Sequence, residues 1–207
     1  MERVIPHVLA KVYRVAVSAL DVNSKILGQT KSRVKEQGVS DKVTIVRGDA
    51  CELPFPSDAF SVVVVESVLV HVWDRRRVFS EVYRVLKPGG VFGDNELTCL
   101  KPPPTGLRNF LTESMGIVTQ PLQEDEWRAL FREAGFVDVS SSVYAMNELV
   151  SFTSHIQVDG FRRYLSALRQ SLLNPTIRDT FFRKDMLKAA LKFSSYVGYG
   201  LYVGRKA

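Results

Sequence analysis

Phe60-Ser61-Val62-Val63-Val64-Val65-Glu66-Ser67 decides the fold. Four consecutive valines without polar alternation predict a strand covered on both faces, as in a parallel sheet. The run stops abruptly at Glu66-Ser67. On its amino side lies a turn, Pro54-Phe55-Pro56-Ser57-Asp58. On its carboxyl side come a loop, a helix expected from about Asp74 to Leu86, the breaker Lys87-Pro88-Gly89-Gly90, and a second strand, Val91-Phe92-Gly93. Asp74 is the expected helix cap, and Val78, Val82, Val85 and Leu86 form the face turned to the sheet. Strand, helix and strand make a βαβ unit with a right-handed crossover. Ligands of such sheets sit beyond the carboxyl ends of the strands. Glu66, Ser67, Asp94 and Glu96 are therefore the first positions to search for chemistry.

Upstream, Arg14 to Leu20 reads as a strand ending in Asp21-Val22-Asn23-Ser24, with Asn23 or Ser24 capping the next helix. Ile26, Leu27, Thr30 and Val34 mark that helix's inner face, and Gly38 suits its left-handed end. Val43-Thr44-Ile45-Val46-Arg47 is a further strand, delivering Asp49 through the turn Gly48-Asp49-Ala50. The stretch Val4 to Tyr13 is ambiguous: Val8, Leu9 and Val12 fit a helix face, and Pro6 breaks any longer element. Downstream, Pro102-Pro103-Pro104 and Gly106 mark a loop. Gln123 to Ala134 reads as a helix with acids in its first turn and the stripe Trp127, Leu130, Phe131. Phe136-Val137-Asp138-Val139 begins another strand. Asn147 to Ser195 turns helical and aromatic, and Tyr199 to Gly204 closes the chain as a strand.

The 207 residues suffice for one sizeable domain. Hydrophobic residues make up 45% and charged residues 24%, ordinary values for a globular protein. No apolar run approaches a membrane span, and the start of the chain lacks signal-peptide features. Two cysteines, Cys51 and Cys99, are too few for a disulfide framework or a thiolate metal cluster; they read as buried thiols in a reducing cytoplasm. The net charge of +6 permits acidic partners, but the only basic run, Arg75-Arg76-Arg77, reads as a solvated helix face and not a nucleic-acid site.

Together these stretches resemble the class I S-adenosylmethionine-dependent methyltransferases, of the small-molecule, ubiquinone- and sterol-methyltransferase-like kind. Val17-Ser18-Ala19-Leu20-Asp21-Val22-Asn23 is similar to the family's second strand with its ribose-binding acid. Gly48-Asp49-Ala50 followed by Leu53-Pro54-Phe55 is similar to its adenine-binding turn. Phe60 through Val72 is similar to its fourth strand and the loop under the methionine moiety. Leu86-Lys87-Pro88-Gly89-Gly90 is similar to its turn into the fifth strand. The resemblance covers about Ala10 to Val139 and the last strand.

That resemblance implies a Rossmann-like, doubly wound, mostly parallel α/β sheet with an antiparallel final strand. Residues 1–146 are then an amino-terminally shortened core, residues 147–196 a helical insertion over the strand ends, and residues 197–207 the core's final strand. It also implies S-adenosylmethionine as cofactor, a small-molecule methyl acceptor and a cytoplasmic enzyme. Asp21 and Val22 would meet the ribose. Asp49, with a backbone N–H from Ala50 or Cys51, would meet the adenine. Glu66 and Ser67 would face the methionine end. For each acid the alternative is an ordinary turn, capping or solvated carboxylate. His71 is the candidate general base, with a hydrogen-bonded structural histidine as the alternative. Methyl transfer is an in-line displacement governed by proximity and orientation, and needs a base only if the acceptor loses a proton.

The chain departs from the family in one place. No acidic residue followed by G-x-G-x-G precedes the second-strand match, and the first glycine is Gly28. The family's first strand lies between its second and fourth, so its loss leaves two edges unpaired. Three explanations compete: truncation of an ancestral methyltransferase, a makeshift strand from residues 1–9, or another chain completing the sheet as a homo-oligomer. We expect the strand at 15–20 to pair directly with that at 60–65, or residues 3–9 or a neighbouring chain to insert between them. The rival function is a catalytically degenerate binding or scaffold protein on the same fold.

Overall fold

A computed structural model describes residues 5–145 and 192–207. The chain begins with helix α1, Ile5–Val12, which resolves the ambiguous stretch: Pro6 occupies its first turn, where a missing N–H costs no hydrogen bond. Strand β1, Val17–Asp21, follows, then α2, Ser24–Glu36, and β2, Val43–Arg47. Asn23 caps α2, accepting the N–H groups of Lys25 and Ile26. Gly38, at φ 67, supplies the left-handed residue after it. β1 and β2 pair in parallel from Val17↔Val43 to Asp21↔Arg47. Ala10, Val34, Val39 and Val43 form a small core between this two-stranded sheet and its two helices.

The larger sheet has five strands. β3, Phe60–Glu66, lies parallel to β4, Leu86–Cys99. Helix α3, Arg75–Val85, crosses between them, capped by Asp74 through the N–H of Arg77. The short β5, Leu122–Gln123, pairs with the far end of β4. α5, Glu124–Glu133, follows, then β6, Phe136–Ala145, and finally β7, Val197–Lys206. β7 lies antiparallel between β4 and β6, giving the order β3-β4-β7-β6. The expected antiparallel final strand is thus present.

α3 and α5 press one face of this sheet. Phe79 from α3 and Phe131 from α5 meet Phe92 of β4 with ring centroids 5.3 and 4.8 Å away. All three rings are fully buried, each contributing about 1.5–3 kcal/mol by burial alone. A second cluster joins Cys99 and Val197 to Leu107 and Leu111 of α4, Leu107–Met115, a helix that the sequence reading had missed. Its amino end is Gly106, at φ 91, immediately after the proline loop.

The expected closure of the central gap is not seen among the described residues. Among them β1 pairs only with β2, and β3 only with β4. Ile5 to Leu9 is helical and inserts no strand. The expectation rested on the cost of unpaired buried backbone groups. One premise of that expectation fails, since β3 is not covered on both faces: Val62 is 57% and Val64 45% exposed. The expected helical insertion falls on residues 147–196; residues 146–191 lie outside the described residues.

Candidate active site

Every expected site residue stands at or just beyond the carboxyl end of a parallel strand. They divide between the two sheets. Asp21 ends β1, and its carboxylate accepts the N–H of Asn23 at 2.9 Å. Asp49 follows β2, and its Oδ1 accepts the N–H of Cys51 at 2.8 Å. Each acid orients its side chain through a short local turn. The two turns are stitched together: the N–H of Gly48 donates to the carbonyl of Asp21, and Arg47 Nε to that of Val22. Asp49 is exposed, Asp21 and Ala50 are half-buried, and Val22 is 58% exposed. The four residues thus lie on two adjoining turns, with Arg47 between them. The turn after Asp49 leans on the larger sheet, where Glu81 of α3 accepts the N–H of Leu53 at 2.9 Å.

Glu66, Ser67 and His71 belong to the second group. Ser67 takes a left-handed conformation, φ 51, unusual for a residue with a Cβ. Its N–H donates to the carbonyl of Asn95 at 2.8 Å, turning the chain sharply at the end of β3. A single 3₁₀ turn, Leu69–His71, follows. His71 Nδ1 lies 2.9 Å from the carbonyl oxygen of Val118 and 3.4 Å from Thr119 Oγ1. A carbonyl only accepts, so Nδ1 carries a proton and is the donor of this bond. One ring nitrogen of His71 thus has a structural bond.

Beneath this loop lies a buried acidic pair on β4. Asp94 is 3% exposed and Glu96 fully buried. Glu96 accepts the N–H groups of Val68 at 2.7 Å and Leu69 at 2.6 Å on one oxygen, and that of Val70 at 3.4 Å on the other. Asp94 makes no hydrogen bond among the described residues. Burial pushes both carboxyls up. Asp94 goes well above its usual range, with the neighbouring Glu96 adding to the effect. Glu96 rises to about 7, burial outweighing the three amides and Arg75. The charge of the pair belongs on Glu96, which has donors to hold it, and Asp94 carries the proton.

Arg75 corrects the sequence reading, which took it for a solvated residue. Its Nε donates to the carbonyl of Leu69 at 2.8 Å and its Nη2 to that of Gln120 at 2.7 Å. The guanidinium also lies over the Trp127 ring, 5.4 Å from its centroid. Burial lowers its pKa from the usual arginine value, and Glu96 opposes that shift. Nothing in the Arg75-Arg76-Arg77 run tells the first arginine from the others. Position at the first turn of α3 does, since it points back under the loop.

A methyltransferase-domain family model matches residues 4–93. A demethylmenaquinone methyltransferase of Anoxybacillus flavithermus is 31% identical over 164 residues, covering 67% of this chain and 67% of the relative. The chain belongs to the class I S-adenosylmethionine-dependent methyltransferases. A sterol 24-C-methyltransferase of Gibberella zeae is 39% identical over 77 residues, 37% of this chain and 20% of that protein. The chain thus spans between 20% and 67% of the length of these two methyltransferases. The crystal structure of a putative sarcosine dimethylglycine methyltransferase from Galdieria sulphuraria shares the fold, with a TM-score of 0.75 at 17% identity over 96% of this chain and 72% of that one. Among the described residues, the candidate site residues stand on two sheets that share no strand pair. Among the described residues no helix is long and apolar enough to cross a membrane.

Proposed function

We propose that this protein transfers a methyl group from S-adenosylmethionine to a small-molecule acceptor. The observation that carries the reading is the pair of stitched acidic turns at Asp21 and Asp49. Each carboxylate is fixed by one local N–H and stands at a strand end. A carboxylate so placed suits the two hydroxyls of a ribose, and one beside the Ala50–Cys51 backbone suits an adenine amino group. The donor set fits the nucleoside half of the cofactor. Glu66 and Ser67 are the candidates for its methionine end, in a chain whose matching stretch lacks the glycine-rich loop.

When bound, the cofactor supplies an electrophilic methyl group. The protein's own work is to orient the acceptor and exclude water. His71 donates from Nδ1 to Val118, which leaves Nε2 as the nitrogen of the ring that would take a proton from an acceptor hydroxyl, amine or acidic carbon. An acceptor that loses no proton would leave His71 only its structural bond.

Calorimetry of the 207-residue protein with S-adenosylhomocysteine tests the reading. Micromolar binding that weakens at least tenfold in Asp21→Ala supports it. No binding at millimolar ligand, with the fold intact by circular dichroism, would overturn it in favour of a scaffold role.

A further inference from the structure

The loop after β3 is held from two sides by opposite charges. Its N–H groups at Val68, Leu69 and Val70 converge on the Glu96 carboxylate. The Leu69 carbonyl, facing the other way, receives the Arg75 guanidinium. A carboxylate gathering three amides, and a guanidinium facing a carbonyl, are charge-assisted arrangements, about twice as strong as neutral ones. Both are buried or half-buried, where water competes poorly.

Arg75 does a second thing. The same guanidinium donates to Gln120, and the N–H of Gln120 donates in turn to Val70. Residues 118–120 are thereby fastened to the loop. Val118 supplies the carbonyl that fixes the ring of His71. The orientation and tautomer of His71 thus depend on a segment that Arg75 ties down. The Ser67 turn depends on amides that Glu96 ties down. Resting on the methyltransferase reading above, we propose that Glu96 and Arg75 are positioning residues, which set the loop 66–71 for the cofactor's methionine end and hold His71 as a base with its lone pair on Nε2. Neither needs to touch the cofactor or the acceptor.

A residue needed only for folding would change stability and leave the folded loop as it is. Positioning residues change the loop in protein that remains folded. The variants are Glu96→Gln, Glu96→Ala and Arg75→Lys. Glu96→Gln keeps an acceptor for the amides, and so covers the case in which Glu96→Ala fails to fold. Lysine keeps the charge but cannot fork between Leu69 and Gln120.

Three readouts are compared in each: amide exchange at Val68–Val70 against that of β4, the nitrogen-15 shifts of the His71 ring, and S-adenosylhomocysteine affinity. In the Glu96 variants, loop amides should exchange at least tenfold faster while β4 is unchanged. In Arg75→Lys, the His71 ring should change from the single Nδ1-protonated tautomer to a mixture. Affinity should fall about tenfold in the Glu96 variants. Unchanged loop exchange and an unchanged His71 tautomer, in variants that fold, would overturn the proposal. Failure of the wild-type protein to bind S-adenosylhomocysteine would overturn the methyltransferase reading instead. Loop exchange and the His71 spectrum would still decide whether the two residues set the loop.

Discussion

Glu81 and Arg84, one turn apart on α3, form an ion pair at 2.8 Å that anchors the turn following Asp49 to the larger sheet. Glu81 accepts the N–H of Leu53, and Arg84 donates to the carbonyls of Leu53 and Phe55. Glu81 is only 5% exposed. Among the described residues no strand pair links the two sheets, so this side-chain contact is one of the means by which the Asp49 turn is registered against β3 and β4. Glu81→Ala should lower the unfolding free energy by about 1.5–3 kcal/mol, since it leaves the Leu53 amide and the Arg84 charge without their partner. Urea denaturation measures this, and an unchanged midpoint would contradict the anchoring role.

The same pair sets an acid limit. Its bond to Arg84 holds the Glu81 carboxyl down to about 2, from 4.5 in the unfolded chain. A depressed folded value means that the stabilisation is complete above about pH 5 and is lost as pH falls towards 2. The difference in urea midpoint between the wild-type protein and Glu81→Gln should therefore shrink over that window. A difference that stayed constant from pH 6 to pH 2.5 would show that the pair carries no linked proton.

Asp94 runs the other way. Its buried carboxyl has no partner among the described residues and is pushed well above its usual range. A raised folded value favours the protonated form, so the contribution of Asp94 to stability falls as pH rises past its unfolded value. Asp94→Asn keeps the shape without the acid and should be more stable than wild type at pH 8, by about 1–3 kcal/mol. The gain should vanish near pH 4. Thermal melts at the two pH values check it, and equal melting temperatures at pH 8 would argue against a buried, unpartnered acid.

Two glycines of the large sheet should respond oppositely to alanine. A Cβ at Gly198 would run into the carbonyl oxygen of Tyr144 on the neighbouring strand, which cannot move without breaking the β6–β7 ladder. Gly198→Ala should cost about 1–3 kcal/mol. At Gly93 a Cβ meets nothing within 4 Å. Gly93→Ala should be neutral, or stabilise by about 0.4–1 kcal/mol through the unfolded chain.

For the nucleoside half of the proposed site, Asp21→Asn and Asp49→Asn should each weaken S-adenosylhomocysteine binding at least tenfold, about 1.4 kcal/mol. Both keep an oxygen for the local N–H bond, so melting temperatures should move little. A loss of binding matched by a comparable loss of stability would point to a turn-forming role alone.

The sequence by itself determined the elements and their direction. The Val62–Val65 run, the Asp74 and Asn23 caps, and glycine at position 38 each act over a few residues, where local propensity and hydrogen bonding decide. They placed Asp21, Asp49, Glu66, Ser67 and His71 at strand ends before any coordinates. The tertiary structure decided what depends on distant partners. Four valines could not say which face would be covered, and Val62 and Val64 turned out to face water. The arginine run at 75–77 has no local signal separating a residue that forks between Leu69 and Gln120 from two at the surface. Glu96 stood out as an acid just beyond the expected strand Val91–Gly93, whereas β4 runs on through it to Cys99. Only the folding of residues 68–70 back over β4, 26 to 28 positions away in the chain, made it the acceptor for three amides.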